Sequence, residues 1–291
     1  MKPAPFRYRR ATTIAQAVVE LAAHGGRAQI LAGGQTLVAE LSARRTAPEV
    51  VVDINGLREL DHVEITDDVV RIGALRRIAA LEHDERLRTV LPALVDAASR
   101  IAHPAVRNRG TIGGNVAHAD PASGIPPVLL AYGGEVILTG PAGVRTVAAE
   151  AFFTGYRSTE TAPDEMITEI RFTRPAPGSG SGFAEISRRA RGWGLAGACA
   201  VVTLRPDGQI GDLRLALLGL APTAVRAEDA ERRARGQAPD RATIDAVAEA
   251  AVADLAEIPA DVHASPLLRR SLGRVAVRRA LIDAIRRAGG A

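Results

Sequence analysis

The chain contains two short segments with paired glycines, Ala32-Gly33-Gly34-Gln35-Thr36 and Thr111-Ile112-Gly113-Gly114-Asn115. We call them the first and the second glycine segment. Because glycine lacks a Cβ atom, it lets main-chain N–H groups approach an oxygen closely and adopts positive φ without steric cost. Successive N–H groups form a concave site for anions. The two segments together therefore predict a site in which a diphosphate is held between two backbone turns.

The polar side chains of the two segments support the same prediction. Gln35 and Asn115 can each donate and accept hydrogen bonds, and Thr36 and Thr111 add hydroxyl groups. The sequence has no GxxxxGK[ST] motif and no GxGxxG motif after a first strand. A phosphate site in this chain would therefore depend on backbone amides.

Two arginines, Arg107 and Arg109, flank Asn108 just before the second glycine segment. They either place positive charge near the predicted diphosphate or are ordinary surface charges. Amide dipoles of a glycine loop can neutralise an anion without a cation. Both interpretations therefore stay open.

The composition argues against a nucleic-acid-binding function. The formal net charge is +4, Lys2 is the only lysine, and aromatic residues make up 3% of the chain. Nucleic-acid binders gather basic residues on one face and interleave aromatic residues, whereas the arginines here are spread among Asp and Glu. We therefore expect no nucleic-acid partner.

No apolar run approaches the roughly 20 residues that a bilayer-spanning helix needs. The start, MKPAPFRYRR, has no apolar segment followed by a small-residue cleavage site. We therefore expect a cytoplasmic protein without a membrane span.

A single cysteine, Cys199, excludes an internal disulfide and any all-cysteine metal site. It lies in an apolar run, where a cysteine usually acts as a small buried hydrophobic residue. The six histidines show no HExxH or similar spacing. We therefore predict no metal ligand and a structural role for Cys199.

A length of 291 residues favours two or three domains. A helix over 12–25, a strand over 28–32, a short helix over 37–43 and a strand over 50–54 form a first lobe, about residues 1–55. A second lobe, about 56–176, is predicted from its periodicity and turn residues. Its elements are hairpins over 63–66 with 69–74 and 135–139 with 144–147, helices over 87–102 and 126–131, and a strand over 166–172.

The strongest boundary signal is the stretch Pro175-Ala-Pro-Gly-Ser-Gly-Ser-Gly182, rich in proline, glycine and serine. We place the domain border there, between residues 1–176 and 177–291. Beyond it we predict three strands over 183–188, 196–204 and 210–218, followed by helices over 223–235, 241–255 and 267–287. The predicted fold is α+β, ending in a three-stranded antiparallel sheet that carries a three-helix cluster.

Two stretches of the sequence resemble those of a known protein family. LAGGQTL at 31–37 and IAHPAVRNRGTIGGNVAHADPAS at 101–123 resemble the FAD-binding medium subunits of molybdenum hydroxylases. This family includes the medium chain of carbon monoxide dehydrogenase and the flavin segment of xanthine dehydrogenase. The resemblance covers essentially the whole chain. It implies a two-lobed FAD-binding domain of the PCMH type, followed by a C-terminal domain like that of the carbon monoxide dehydrogenase flavoprotein.

The resemblance also implies noncovalent FAD, with its diphosphate between the two glycine segments and an aromatic residue, here Trp193, beside the isoalloxazine. The alternative role for Trp193 is to anchor a strand. The cofactor-binding residues implied in this way are Leu31, Ala32, Gly33, Gly34, Gln35, Thr36, Leu37, Ala102, Thr111, Ile112, Gly113, Gly114, Asn115, Asp120 and Trp193.

Two positions depart from the family pattern. Gly124 stands where members frequently have an aspartate that reaches the flavin, so Asp120 or Ser123 would substitute or one contact would be missing. Gln35-Thr36 stands where His-Ser or a similar pair is common, which preserves polarity and size.

By resemblance, the chain is an electron-transfer subunit whose partners are a large subunit with the molybdenum cofactor and a small subunit with iron–sulfur clusters, in a dimer of heterotrimers. The resemblance also implies that no catalytic acid, base or nucleophile needs to reside in this chain. One alternative is a stand-alone flavin reductase or oxidase of the same superfamily. Another is a scaffold subunit that has lost FAD.

Overall fold

A computed structural model describes residues 2–253 and 255–289. The first lobe is a parallel three-stranded sheet in the order β1-β3-β2. Its elements are β1 (Arg7–Arg10), α1 (Ile14–His24), β2 (Ala28–Leu31), α2 (Leu37–Ser42) and β3 (Val50–Asp53). The side chain of Thr13 caps α1 by accepting a hydrogen bond from the amide of Gln16. β1 was not predicted, because its Arg-Tyr-Arg-Arg sequence lacks the apolar alternation of a strand.

The second lobe is built on an antiparallel five-stranded sheet in the order β4-β5-β10-β6-β7. Both predicted hairpins are confirmed as β4–β5 and β6–β7. The elements are β4 (Val63–Ile65), β5 (Val69–Gly73), α3 (Ile78–Glu82), α4 (Glu85–Val90), α5 (Pro92–Arg100), α6 (Pro104–Arg107), α7 (Ile112–His118), α8 (Ile125–Ala131), β6 (Glu135–Gly140), β7 (Gly143–Ala148), α9 (Ala149–Phe152), β8 (Phe153–Gly155), β9 (Ser158–Thr159) and β10 (Met166–Thr173).

Two predictions in the second lobe were wrong. The single helix over 87–102 is two helices, α4 and α5, because Pro92 lacks the N–H that would continue α4 and instead occupies the first turn of α5. The second glycine segment is not a free turn: Thr111 is the N-cap of α7 and residues 112–115 form its first turn.

The C-terminal region, residues 177–291, has a four-stranded antiparallel sheet in the order β11-β12-β13-β14 rather than the three strands predicted. Its elements are β11 (Ser179–Ser187), β12 (Gly194–Leu204), β13 (Ile210–Leu218), β14 (Val225–Arg226), α10 (Glu228–Ala234), α11 (Arg241–Ala253) and α12 (Pro266–Arg287). The predicted helix over 223–235 begins later, because residues 225 and 226 pair with β13. The buried carboxylate of Glu231 holds this pairing by accepting hydrogen bonds from the amide of Leu215 and from Arg226.

The C-terminal sheet lies between two layers. One face, with Ala184 and Ala198, packs on the helices α10 to α12. Gly180 and Gly182 of β11 touch the backbone of α12 so closely that an added Cβ would collide with Ala284 O and Ala280 O respectively.

The opposite face of the sheet shares a hydrophobic core with the second lobe. Phe183 and Cys199 lie in that core, and both are buried. The prediction that Cys199 is a buried hydrophobic residue is confirmed, and burial raises the pKa of its thiol. None of the helices in the described part of the chain is long and apolar enough to cross a membrane.

Candidate functional site

A cleft of about 870 Å³ lies where the first lobe, the second lobe and the C-terminal region meet. This volume is in the upper part of the range of about 300–1,000 Å³ found for small-molecule and cofactor sites. Most of the predicted cofactor-binding residues line it: Ala32, Gly33, Gly34, Gln35, Thr36, Leu37, Ala102, Thr111, Gly113, Gly114, Asn115, Asp120 and Trp193.

Two predicted residues do not line the cleft. Ile112 is fully buried in the core of the second lobe, and Leu31 lies at the end of β2. Leu31 supports the first glycine segment from behind, because an added Cβ on Gly34 would be 3.2 Å from Leu31 Cδ1. Both residues therefore contribute packing rather than ligand contacts.

The first glycine segment is a loop between β2 and α2 that needs its glycines. Gly33 packs directly on the second lobe: an added Cβ would collide with Arg109 O and lie 2.9 Å from Gly110 Cα. Gly34 has φ of +72°, which favours glycine. The backbone N–H groups of residues 33–36 have no acceptor among the described residues. These amides are therefore available to an anion in the cleft.

The second glycine segment uses its amides internally. The N–H groups of Ile112 and Gly113 donate to Arg76 O at 3.0 Å and to Ala74 O at 2.9 Å. The N–H of Gly114 donates to Thr111 Oγ1 at 3.1 Å. This segment therefore forms a rigid wall, and a ligand would contact side chains such as Asn115 and not a set of free amides.

A hydrogen-bonded link between the two segments was missed by the sequence analysis. The side-chain amide of Asn55 donates to Ala32 O at 2.7 Å and to Leu31 O at 3.2 Å. Arg77 donates to Asn55 Oδ1 at 2.8 Å and to Arg109 O at 2.5 Å. The link fixes the spacing of the two glycine segments, and it joins residues too far apart in sequence to form a motif.

The two arginines before the second segment have different roles, and neither of them lines the cleft. Arg107 is only 3% exposed and pairs with Glu82 at 2.7 Å, so it is not an ordinary surface charge. Its guanidinium also donates to Ala102 O at 2.8 Å, which fixes a cleft residue with φ of +42°. Arg109 is exposed and its side chain does not line the cleft, in keeping with surface charge.

Asp120 is buried at the edge of the cleft and its carboxylate is already bound. Oδ1 accepts from the amide of Ala122 at 2.9 Å, and Oδ2 pairs with Arg157 at 2.7 Å. His118 Nε2 lies 3.6 Å from the same oxygen. Burial, followed by the charge of Arg157, lowers the pKa of His118. Asp120 therefore orients the wall of the cleft, and it is poorly placed to replace an acidic ligand contact.

Position 124 has little room for a side chain in this structure. An added Cβ on Gly124 would lie 2.8 Å from Phe183 Cζ and 3.3 Å from Ala97 Cβ. The ring of Phe183, from β11, therefore takes the space that a side chain would need. Next to it, Ser123 donates its hydroxyl to Asn115 Oδ1 at 2.7 Å, and Asn115 lines the cleft.

Trp193 lies in the loop between β11 and β12, at the mouth of the cleft. It is 65% exposed, so it does not anchor a strand in a core. The same loop brings the arginines Arg189 and Arg191 to the cleft. An exposed aromatic ring beside a cofactor-sized cleft is available to cover a planar ligand.

Glu185 of β11 also faces the cleft and was not singled out by the sequence, where it is one polar residue in a predicted strand. Burial raises the pKa of its carboxyl to about 7, and the charge of Arg100 opposes this shift. As a single polar residue between Ala184 and Ile186, it carries no pattern that indicates a position in a cleft.

Comparison with known proteins identifies the class. Residues 4–175 match the family described as an FAD binding domain in molybdopterin dehydrogenase, and residues 181–284 match the CO dehydrogenase flavoprotein C-terminal domain. The chain is 38% identical, over 99% of its length and 97% of the relative, to a 6-hydroxypseudooxynicotine dehydrogenase complex subunit alpha of Paenarthrobacter nicotinovorans.

It is 35% identical, over 97% of both chains, to the carbon monoxide dehydrogenase medium chain of Hydrogenophaga pseudoflava. The solved structure of carbon monoxide dehydrogenase from that organism, lacking the Mo-pyranopterin moiety of the molybdenum cofactor, matches with a TM-score of 0.94 and 36% identity, over 99% of each chain.

The chain belongs to the family of FAD-binding medium subunits of molybdenum hydroxylases. The predicted family, the α+β class and FAD as the cofactor are confirmed, with the four-stranded sheet as the correction to the fold. Its relatives are dehydrogenase subunits, which makes this chain a subunit of an oxidoreductase.

Proposed function

We propose that the chain holds FAD noncovalently in the cleft, receives electrons from iron–sulfur clusters of a small partner subunit and passes them to an external acceptor. The observation that carries the proposal is the free row of backbone amides at residues 33–36, which opens into a cleft of about 870 Å³. Amide N–H groups suit the uncharged recognition of a diphosphate, and the volume suits a dinucleotide.

The residues present fit the coenzyme. In this proposal the amides of the first glycine segment bind the diphosphate, and Asn115 adds a side-chain donor from the second segment. Trp193 covers the ring system from the mouth of the cleft and excludes water. FAD supplies the redox chemistry when bound, and the chain supplies position and electrostatics.

The partners follow from the relatives, which are medium chains or subunits of multi-subunit dehydrogenases. We propose a large subunit with the molybdenum cofactor and a small one with iron–sulfur clusters, assembled as a dimer of heterotrimers. Cys199 is buried and alone, and an iron–sulfur cluster requires several cysteine ligands. The clusters are therefore assigned to the partner.

Reconstitution with FAD tests the proposal. We expect the purified chain, after incubation with FAD and gel filtration, to retain the coenzyme in a near-stoichiometric amount and to show a flavin absorption spectrum. A Gly26→Ala variant should retain FAD as the unaltered chain does, because Gly26 lines the cleft but an added Cβ meets nothing within 4 Å. It serves as the control for glycine substitutions in the first glycine segment. A chain that retains no FAD would support the scaffold alternative and refute the proposal.

Affinity purification of a tagged chain from its own cell tests the partners. We expect a large subunit with molybdenum and a small subunit with iron to elute with it in equal amounts. Reduction of the flavin in that complex by substrate should require the small subunit. Recovery of the flavin-loaded chain alone, with oxidase activity of its own, would favour the stand-alone enzyme.

A further inference from the structure

The carboxyl group of Glu185 has no role in the proposed function, although it lies in the cleft. It lines the cleft from β11, on the C-terminal region. An added Cβ on Gly194 would lie 3.1 Å from Glu185 Cγ and 3.2 Å from Ala122 O. The side chain of Glu185 therefore runs along the boundary between the C-terminal sheet and the segment that leads from Asp120 to Gly124.

The alternation of β11 settles which way this side chain faces. Phe183 and Glu185 are two residues apart on one strand, so they share a face of the sheet. Phe183 packs on Gly124, whereas Ala184 between them lies in the core under α12. Glu185 is thus one pleat beyond Phe183, toward the loop that carries Trp193.

The surroundings leave the carboxyl without a partner. The charged side chains on the neighbouring elements are Asp96 and Arg100 on α5, Asp120 on the segment after α7, and Arg188, Arg189 and Arg191 in the loop, while β12 carries none. Asp96 and Asp120 are each paired with an arginine at 2.8 Å and 2.7 Å.

Among the described residues, none hydrogen-bonds to the Glu185 carboxyl. Arg100 alone lowers its pKa through charge, and burial outweighs that effect and raises the pKa to about 7. Near neutral pH this group is therefore divided between its acid and its carboxylate form before any ligand binds.

We propose that Glu185 is a ligand-facing residue of the FAD cleft that binds the coenzyme as a neutral carboxylic acid, so that FAD binding takes up one proton from solvent onto Glu185. The inference rests on the proposed function. A bound coenzyme removes water from the carboxyl and brings a negatively charged diphosphate into the same cleft, and both effects disfavour the carboxylate. The neutral acid can donate one O–H hydrogen bond into the cleft, beside Gly124, which carries no side chain.

The sign of the pH dependence follows from this proton uptake. The filled cleft holds more protons than the empty one between the pKa of about 7 in the free chain and the higher pKa in the complex. The dissociation constant for FAD should therefore be flat below pH 7 and rise above it, by about tenfold for one pH unit at full coupling.

Titration of the apoprotein with FAD, followed by flavin fluorescence between about pH 6 and pH 9, measures this slope. We expect the wild-type dissociation constant to rise by about fivefold from pH 7 to pH 8, and by less than about twofold in Glu185→Gln, whose amide does not titrate in this range. Calorimetry of the wild type at pH 7.5 measures the proton uptake without any variant. The binding enthalpy is compared in phosphate and in Tris, because each buffer supplies the proton with a different ionisation enthalpy.

Two histidines, His103 and His118, also line the cleft. His103→Gln and His118→Gln are therefore the matched controls, and both should keep the wild-type slope. A slope that persists in Glu185→Gln, or that disappears in either histidine variant, would overturn the inference. A wild type that binds FAD with no pH dependence and no proton uptake would overturn it as well. A wild type that binds no FAD at any pH would instead refute the proposed function.

Discussion

The two glycine segments have similar sequences, but their backbones serve different purposes. In residues 33–36 the amides have no acceptor in the described chain, and Gly33 is pressed against Arg109 and Gly110. In residues 112–115 every amide donates within the protein, and Gly113 is pressed against Ala74. A glycine pair therefore reports a close backbone approach, and only the surrounding hydrogen bonds show whether the amides remain free for a ligand.

The largest effect on coenzyme binding is expected from Gly33→Ala. The added methyl would collide with the backbone of Arg109 and Gly110, which cannot move aside without shifting the second lobe. Overpacking of this kind costs about 1–3 kcal/mol, which corresponds to a loss of FAD affinity of about five- to 150-fold if the free amides are displaced. FAD titration of this variant beside Gly26→Ala measures the effect. Equal affinity in the two variants would show that the first segment is not the donor.

Gly113→Ala should act on stability and not on binding. Its methyl would lie 2.7 Å from both Ala74 Cβ and Ala74 O, inside the core. We expect a loss of about 1–3 kcal/mol in the free energy of unfolding. Urea denaturation measures the loss, and FAD titration well below the unfolding transition should show a smaller change than in Gly33→Ala. Loss of FAD at unchanged stability would contradict the division of roles.

Thr111→Val removes the cap of α7 while keeping the shape of the side chain. The hydroxyl oxygen accepts the amide of Gly114 at 3.1 Å, and loss of such a cap costs about 1 kcal/mol. Thermal unfolding should show the loss, and Thr111→Ser, which retains the hydroxyl, should restore most of it. If both variants were equally stable, the amide of Gly114 would have another acceptor.

The smallest effect is expected from Ser123→Ala. The lost hydrogen bond to Asn115 Oδ1, 2.7 Å long and half-buried, is worth less than about 1 kcal/mol. The Asn115 side chain is then no longer held by this hydrogen bond, and we expect FAD affinity to fall by less than about fivefold. An increase in affinity would mean that the serine hydroxyl holds Asn115 away from the ligand.

The sequence pattern was sufficient to predict the helices and strands that neighbouring residues determine. The hairpin over 63–66 with 69–74 and the helix over 12–25 are determined by neighbouring residues, and both were predicted. The helix α7 was not, because two glycines disfavour a helix by about 1 kcal/mol each. Its formation depends on the Thr111 cap and on contact with Ala74, which lies far from it in sequence.

In the site, too, the contacts between residues distant in sequence were the ones that were not predicted. Both glycine segments were recognised from their residues, because close approach requires glycine whatever the partner. The burial of Arg107 was not predicted, because Glu82, which pairs with it, is 25 residues away in the sequence. Glu185 and the contact of Phe183 with Gly124 were missed because they join the C-terminal region to the second lobe, and no spacing within either one records that contact.

Phe183 has a consequence for the order of events during synthesis. It belongs to a strand that emerges from the ribosome only after both N-terminal lobes are complete, and domains fold largely in that order. Before β11 docks, Phe183 does not yet cover Gly124, and the cleft lacks the side that the C-terminal region contributes. We therefore expect a chain that ends before residue 183 to retain FAD more weakly than the full chain, which FAD titration of the truncated chain measures.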